Sequence, residues 1–189
     1  VISNTGQTVF EIIRDLAAKN SKTLWFEHIQ VIIFSEAVLQ ENDMQPLLDF
    51  FRRDSEIRPR TKMYVTPGEA RKILEIQPKT GEPGGISLAN ISRLYGKNPL
   101  PATNVDLGST SVQLDKNADF ALPRIEYSEN EVKINGLALF KKGRFKGYLD
   151  EYAIQGGKFI LGLEKSALIA APNPADPSKL IVFELFRHE

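Results

Sequence analysis

A cluster of opposite charges lies between positions 49 and 60, and we refer to these residues as the arginine corner. It contains four arginines and three acids: Arg52, Arg53, Arg58, Arg60, Asp49, Asp54 and Glu56. Arginine presents a planar fork of donors that binds carboxylates or phosphates through paired hydrogen bonds. The segment has no histidine or cysteine, so it offers no thiolate and no imidazole proton shuttle. This pattern predicts recognition through ion pairs rather than catalysis.

The arginine corner has two interpretations. In the first, five of its residues contact a partner subunit or an anionic lipid head group: Arg52, Arg53, Asp54, Glu56 and Arg58. In the second, the arginines pair internally with the three acids and fix the end of a helix, because charge clusters are often structural. The sequence leaves both interpretations open.

A second basic segment contains Lys141, Lys142, Arg144 and Lys146 around a predicted tight turn. Cations on a hairpin prevent edge-to-edge pairing of sheets, and this interpretation needs no ligand. The same residues are also candidates for a membrane-facing or partner-facing edge, and they are the nearest approach to a nucleic-acid surface. Basic and acidic residues both total 24, so no net field attracts nucleic acid, and it is not predicted as a partner.

Catalytic, cofactor and metal sites are not predicted. Cysteine is absent and only His28 and His188 are present, which argues against a zinc site. His28 falls in a predicted strand, where a hydrogen-bonded structural role is favoured over a pH-sensitive contact. The glycines at 81–85 precede Ser87 and offer backbone amides to a small ligand, but they lack the spacing of a phosphate loop, so a flexible loop is favoured. A small-ligand module or an unrecognised hydrolase is the alternative function.

The first half of the chain alternates helices and strands, which favours an α/β lobe over residues 1–77, to which upstream strands are expected to be added. The predicted helices are 8–19, 36–39, 44–51 and 67–75, and the predicted strands are 23–34 and 61–65. The apolar run from Val31 to Phe34 indicates a central strand covered on both faces.

Proline and glycine are dense between 77 and 101, which predicts a linker around one short helix and a second lobe over residues 78–189. The predicted elements of this part are helices at 87–95, within 103–122 and after Asp150, strands at 125–127, 132–140 and 144–149, and a hairpin of 167–171 with 180–186 around the loop 172–177. The predicted fold class is α/β to α+β: a mixed sheet covered by helices, with a second α+β lobe that contains antiparallel hairpins.

Three segments of the chain, in this order and spacing, resemble the C-subunit family of spore germinant receptors, the Ger(x)C lipoproteins of endospore-forming bacteria. The segments run from Leu24 to Glu36, from Leu47 to Arg58 and from Asn135 to Leu149. The resemblance covers the amino-terminal half of that family. The chain departs from it at Ser35, where the family commonly has glycine. It begins at Val1 without a signal peptide or a lipid-bearing cysteine, so we expect it to be a part of a longer protein.

The resemblance implies a non-enzymatic extracytoplasmic subunit of a nutrient germinant receptor, which acts in receptor assembly and germination signalling through protein contacts. It implies membrane-embedded A and B subunits as partners and no cofactor. It also implies a location on the outer surface of the spore inner membrane, through a lipid anchor outside these residues. Because no apolar run approaches the roughly 18 to 20 residues of a spanning helix, the chain itself is expected to be soluble. Direct germinant binding is the alternative.

Overall fold

The computed structural model describes residues 2–19, 25–76, 81, 84–95, 105–128, 131–160 and 166–186. Five strands form one sheet in chain order: β1 (Val31–Ser35), β2 (Lys62–Thr66), β3 (Phe120–Ser128), β4 (Glu131–Lys141) and β5 (Arg144–Leu149). The pairs β1–β2 and β2–β3 are parallel, and the pairs β3–β4 and β4–β5 are antiparallel. Strands from both sides of the predicted boundary at 77/78 therefore lie in one sheet, and the division into two lobes stays a prediction.

Seven helices are described within these ranges. They are α1 (Val9–Lys19), α2 (Glu36–Glu41), α3 (Met44–Arg53), α4 (Ala70–Glu75), α5 (Gly84–Tyr95), α6 (Leu107–Asp115) and α7 (Glu151–Ile160). Helices α2 and α3 connect β1 to β2, and α4, α5 and α6 lie between β2 and β3. The predicted mixed sheet covered by helices is confirmed.

Both faces of the sheet are covered, because neighbouring residues of a strand point to opposite faces. On β2, Met63 and Val65 are buried in a core with side chains of α2, α3 and α6. Tyr64 is buried on the opposite face with side chains of α4 and α5. Its hydroxyl donates a hydrogen bond to the backbone oxygen of Leu88, 2.9 Å away, so α5 is tied to the sheet.

Strand β1 differs from the prediction in two ways. It begins at Val31, because residues 25–30 form a loop; positions 23 and 24 lie outside the described residues. It is also an edge strand of the described sheet, where it pairs with β2 alone, instead of a central strand. Ile32 and Phe34 are buried in one core and Ile33 packs against the other. Helices thus cover both faces of this edge strand, which gives it the apolar sequence expected of a central one.

Two helices begin at residues other than those predicted. Helix α4 begins at Ala70, since the Thr66 hydroxyl accepts a hydrogen bond from the Gly68 N–H (3.3 Å) in a local turn. Helix α5 begins at Gly84, three residues before the predicted cap at Ser87. A Cβ atom at Gly84 would lie 3.1 Å from the backbone oxygens of Ile73 and Ile76, so glycine allows α5 to start directly against the end of α4.

Helix α6, which was predicted only as lying within 103–122, begins with a reciprocal cap. The Ser109 N–H donates to the Asp106 carboxylate at 2.9 Å, and the Asp106 N–H donates to the Ser109 hydroxyl at 3.2 Å. These bonds satisfy two donors at the helix start. The following residues leave the helix, and Phe120 already belongs to β3.

We expect Asp106→Ala to lower the free energy of unfolding by about 1 kcal/mol, because it removes an N-cap acceptor. Asp106→Asn keeps an acceptor for the Ser109 N–H and should retain most of the stability. Ser35→Ala is a matched control, since Ser35 precedes α2 without a side-chain cap bond. Urea unfolding measures all three; equal losses for Asp106→Ala and Asp106→Asn would show that the charge, which lies 3.9 Å from Lys62, matters more than the cap.

The carboxyl-terminal part confirms the predicted meander and hairpin. The Asp150 carboxylate caps α7 by accepting a hydrogen bond from the Ala153 N–H at 2.7 Å. Strands β6 (Ser166–Asn173) and β7 (Asp176–Phe186) form a separate antiparallel pair. The connecting loop is shorter than the predicted 172–177, because Pro172 still pairs with Leu180 and Asn173 with Asp176. Proline is tolerated in such a pair when its missing donor faces outwards.

Candidate interaction surface

The arginine corner is a turn fixed by its own backbone. Helix α3 ends at Arg53, and the Asp54 N–H still donates to the Phe50 oxygen at 3.0 Å. The Asp54 carboxylate accepts a hydrogen bond from the Glu56 N–H at 2.8 Å, a local bond typical of aspartate in turns. Ile57 is buried in the main core. The chain therefore leaves the helix in one defined direction.

The second half of the corner is anchored to α6 and to the loop at 25–30. The Gly108 N–H donates to the Pro59 oxygen at 2.8 Å, and the Leu107 N–H donates to the Thr61 oxygen at 2.9 Å. The hydroxyl of buried Thr61 lies 2.8 Å from the Arg58 oxygen and 3.2 Å from the Ile29 oxygen. A Cβ at Gly108 would lie 3.1 Å from the Cβ of Pro59, which shows how closely α6 approaches the corner.

Three arginines of the corner each pair with a different acid. Arg53 Nε lies 2.8 Å from Asp49 Oδ1, and this is an internal pair of the predicted kind. Arg52 pairs instead with Asp115 at the end of α6, and Arg58 Nη2 lies 3.3 Å from Glu27 Oε1. Asp54 and Glu56 show no ion pair with these arginines in the described part of the chain, and each accepts a backbone N–H group: Asp54 that of Glu56, and Glu56 that of Phe26 at 3.4 Å.

The arginines differ in exposure, and this difference separates an arginine that joins parts of the fold from arginines that are accessible to a partner. The Arg52 side chain is 22% exposed, and its pairing joins α3 to α6. The side chains of Arg53 and Arg58 are 72% and 58% exposed. A guanidinium has five donors, so one carboxylate leaves the others free for a partner. Arg53 and Arg58 thus present two guanidinium groups to solvent from a fixed backbone. Contact of the five predicted residues with a partner stays a prediction.

The loop at 25–30 was predicted as a strand and is instead held against the corner. Phe26 packs edge to face on Phe50, with ring centroids 5.5 Å apart. His28 is exposed in this loop, which corrects the prediction of a structural histidine in a strand. Trp25, which was not among the predicted site residues, is exposed and lies two positions before Glu27, the partner of Arg58. The sequence signal that could have identified Trp25 as exposed is the run of polar residues that follows it, Glu27, His28 and Gln30.

The basic hairpin lies at the turn between β4 and β5, and β5 is an edge of the described sheet. Arg144 Nε lies 3.0 Å from Asp43 Oδ1 at the start of α3. The Lys142 N–H donates to Asp119, and its side chain is exposed, as are those of Lys141 and Lys146. These lysines fit protection of a sheet edge. The membrane or partner contact of this hairpin stays a prediction.

The glycine-rich segment does not present a free helix start to a ligand. Gly84, the first residue of α5, lies against backbone carbonyl oxygens at the end of α4. Gly81 is described with φ at +75°, whereas 82 and 83 lie outside the described residues. Among the described residues, no three acids or histidines come together as a metal site. In the same part of the chain, every helix is too short or too polar to cross a bilayer.

Comparison with known sequences gives one matching family and several relatives. Residues 1–127 match the family described as spore germination protein N-terminal domain. Spore germination protein YndF of Bacillus subtilis is 27% identical over 170 residues, which are 89% of this chain and 42% of that protein. Spore germination protein B3 of Bacillus subtilis is 22% identical over 192 residues, or 97% of this chain and 49% of that protein. The chain thus spans about half the length of these curated relatives.

Two further comparisons agree. Spore germination protein GerQC of Bacillus cereus is 28% identical over 144 residues, covering 75% of this chain and 39% of that protein. The crystal structure of the GerBC protein has the same fold, with a TM-score of 0.62 and 17% identity. The similar region covers 90% of this chain and 48% of that one. The family match over residues 1–127 includes the arginine corner and strands β1 and β2.

Proposed function

Because the chain belongs to the family of spore germination proteins that share this N-terminal domain, we propose that it is a non-enzymatic subunit of a nutrient germinant receptor. Family membership supports a role in spore germination. The proposal adds that the chain works in receptor assembly and signalling, through contacts with membrane-embedded A and B subunits. Its proposed place is the outer surface of the spore inner membrane, through a lipid anchor outside these residues.

The observation that carries the contact role is the geometry of Arg53 and Arg58. Both guanidinium groups are exposed, yet the backbone beneath them is fixed by α3, by α6 and by the loop at 25–30. A positioned side chain loses little freedom on binding, so more of its interaction energy appears as affinity. Arginine is also enriched among the residues that dominate protein interfaces. These properties support a protein contact at the corner.

Spores that lack this protein are expected to lose their response to the nutrient of the parent receptor, while a trigger that bypasses nutrient receptors still germinates them. Reintroducing the folded chain into these spores should restore the nutrient response, and this rescue should not depend on turnover of any metabolite. The decrease in optical density of a spore suspension measures both responses. A normal nutrient response without the protein, or turnover of the nutrient by the purified chain, would contradict the proposal.

A further inference from the structure

The hairpin of β6 and β7 carries apolar side chains on both of its faces. The register places Ile169 opposite Phe183, and directly opposed residues of an antiparallel pair share a face. The neighbouring pair, Ala170 and Val182, lies on the other face, because successive residues of a strand point to opposite faces. An antiparallel strand with one face in water alternates polar and apolar residues instead. The sequence of this hairpin is therefore that of strands covered on both faces.

Both faces are nevertheless open to solvent in the part of the chain that the structure describes. Val182 is 58% exposed on one face, and Phe183 is 53% exposed on the other. The two strands pair with each other in a sheet of their own, separate from the five-stranded sheet. No charged residue occurs in 166–172 or 180–183 to protect these strands from other strands. Because a two-stranded hairpin alone is only marginally stable in water, apolar side chains on both faces indicate a surface that further polypeptide covers.

A bilayer is a poor occupant of this surface, because the tip of the hairpin is polar. Lys179 Nζ lies 3.1 Å from Asp176 Oδ2, and Asp176 Oδ1 accepts the Ser178 N–H at 3.2 Å. A hairpin that inserts into a membrane brings its tip in first, and charged groups are costly in hydrocarbon. A second copy of the chain covers only one face, because both copies of a two-fold dimer contribute the same face. Neither occupant accounts for two apolar faces behind a charged tip.

The lengths of the relatives favour a different occupant. Spore germination protein B3 shares 97% of this chain but only 49% of its own length, and the GerBC structure shares 90% of this chain but only 48% of its own length. Each relative therefore has about as many residues again outside the shared part. The matched family is described as an N-terminal domain, so the residues beyond it follow the shared part. A segment that continues the same polypeptide is held near the hairpin by its covalent linkage, at a high effective concentration.

We propose that the β6–β7 hairpin is the docking site for the polypeptide that follows this chain in the longer protein, and that this polypeptide packs apolar side chains on both faces of the hairpin. The hairpin thus belongs to a second core, which it shares with that polypeptide, rather than to the core of the five-stranded sheet. The contact forms within the longer protein itself, so receptor assembly leaves it unchanged. It goes beyond the proposed function and does not depend on it.

Thiol reactivity tests the docking site, because the chain contains no cysteine of its own. Val182→Cys and Phe183→Cys place one thiol on each face, and Tyr152→Cys is the matched control, since Tyr152 is 86% exposed on α7. Each variant is made in the longer protein and in a form of it that ends at Glu189. Mass spectrometry of the peptide that contains the new cysteine measures its rate of reaction with N-ethylmaleimide.

In the longer protein, we expect positions 182 and 183 to react roughly tenfold or more slowly than position 152, because a covered thiol reacts only after local opening. In the shortened form, all three positions should react at similar rates, and urea should abolish the difference in the longer protein. Leu180→Cys and Ile181→Cys repeat the measurement on the same two faces, so one unfolded variant does not decide the result.

Fast reaction at positions 182 and 183 of the longer protein would overturn the docking site, as would protection of one face alone. Slow reaction in the shortened form would also overturn it, because the following polypeptide is then not needed. Protection that is lost on dilution would assign the cover to a second copy. Protection that requires phosphatidylglycerol vesicles would assign it to a bilayer, and both results contradict the proposal.

Discussion

Gly136→Ala is expected to lower the free energy of unfolding by at least about 4 kcal/mol, a loss large enough to prevent folding. A Cβ at this position would lie 2.2 Å from the backbone oxygen of Leu149, where contacts shorter than 3.0 Å essentially never occur. The φ angle of +97° adds strain for any other residue. The clash is with backbone of the neighbouring strand β5, so no side chain rotation relieves it.

The position of Gly136 explains this geometry. Strand β4 pairs with β3 before and after Gly136, but the register shifts between Pro123 and Ile125. One residue of β3, Arg124, therefore stands opposite two residues of β4, Asn135 and Gly136. This is a β-bulge, which bends one strand and turns its side chains to new directions. Asn135 Nδ2 donates to Glu126 Oε2 at 2.8 Å next to the bulge.

Two glycine variants separate the clash from backbone strain. Gly147→Ala has a φ of +138° but no atom within 4 Å of the added Cβ, so it should cost about 1–3 kcal/mol from strain alone. Gly156→Ala adds a methyl to helix α7 in open space and should raise stability by about 0.5–1 kcal/mol. Urea unfolding of the three variants decides the point. A loss at Gly136 no greater than at Gly147 would show that the strands move apart at low cost.

A chain with both Arg53→Ala and Arg58→Ala is expected to fold normally and to fail in receptor assembly. Each arginine takes part in one exposed ion pair, and such pairs contribute about 0–1 kcal/mol to stability. For a chain of this size, that loss lowers the melting temperature by only about 2–4 °C per kcal/mol. At an interface, a lost arginine contact costs roughly 2 kcal/mol, or about 30-fold in affinity.

Co-purification with the membrane subunits and a thermal melt of the isolated chain measure both effects of the double variant. Arg71→Ala with Lys72→Ala is the matched control, since both residues form exposed ion pairs within one turn of α4. It should leave assembly and folding unchanged. Arg52 stays unaltered, because its pairing with Asp115 joins two helices. Normal assembly of the double variant would contradict the contact role, and a collapse of the melting temperature would assign the corner to the fold.

The sequence predicts elements whose signals are local. Met44, Leu47, Leu48 and Phe51 repeat at helical spacing, and α3 lies where they indicate. The turn at Lys142 and Gly143 follows from two strand patterns with a glycine between them, and both residues have positive φ, at 51° and 82°. Asp150 precedes α7 as a capping residue should. In each case a few neighbouring residues decide the conformation.

The sequence does not predict contacts between distant segments. The Tyr148 hydroxyl donates to Glu36 Oε2 at 3.0 Å, although 112 positions separate them. Burial and this hydrogen bond raise the pKa of Tyr148 well above its usual value. The pairing of Arg52 with Asp115 and of Arg58 with Glu27 likewise depends on how α6 and the loop at 25–30 pack. Charge spacing within the corner contains no information on these partners.

The edge position of β1 shows the same limit in the sheet. Burial on both faces produces an apolar run whether a strand lies in the centre of a sheet or at its edge, because helices supply the cover. The start of α4 shows the same limit among neighbouring residues. Thr66 and Glu69 have capping-box spacing, but the Thr66 hydroxyl accepts a hydrogen bond from the Gly68 N–H instead. Spacing permits a cap, and the competing turn decides whether it forms.

Hydrogen exchange of this protein, free and within the assembled receptor, tests the central claim most directly. The claim is that the arginine corner and the loop packed on it form the surface through which the chain acts. We predict that backbone amides at 26–30 and 54–60 exchange more slowly in the receptor, while amides of β7, which lies in the separate two-stranded sheet, change little. Unaltered exchange in both segments of an intact receptor, with protection elsewhere on the chain, would contradict the claim.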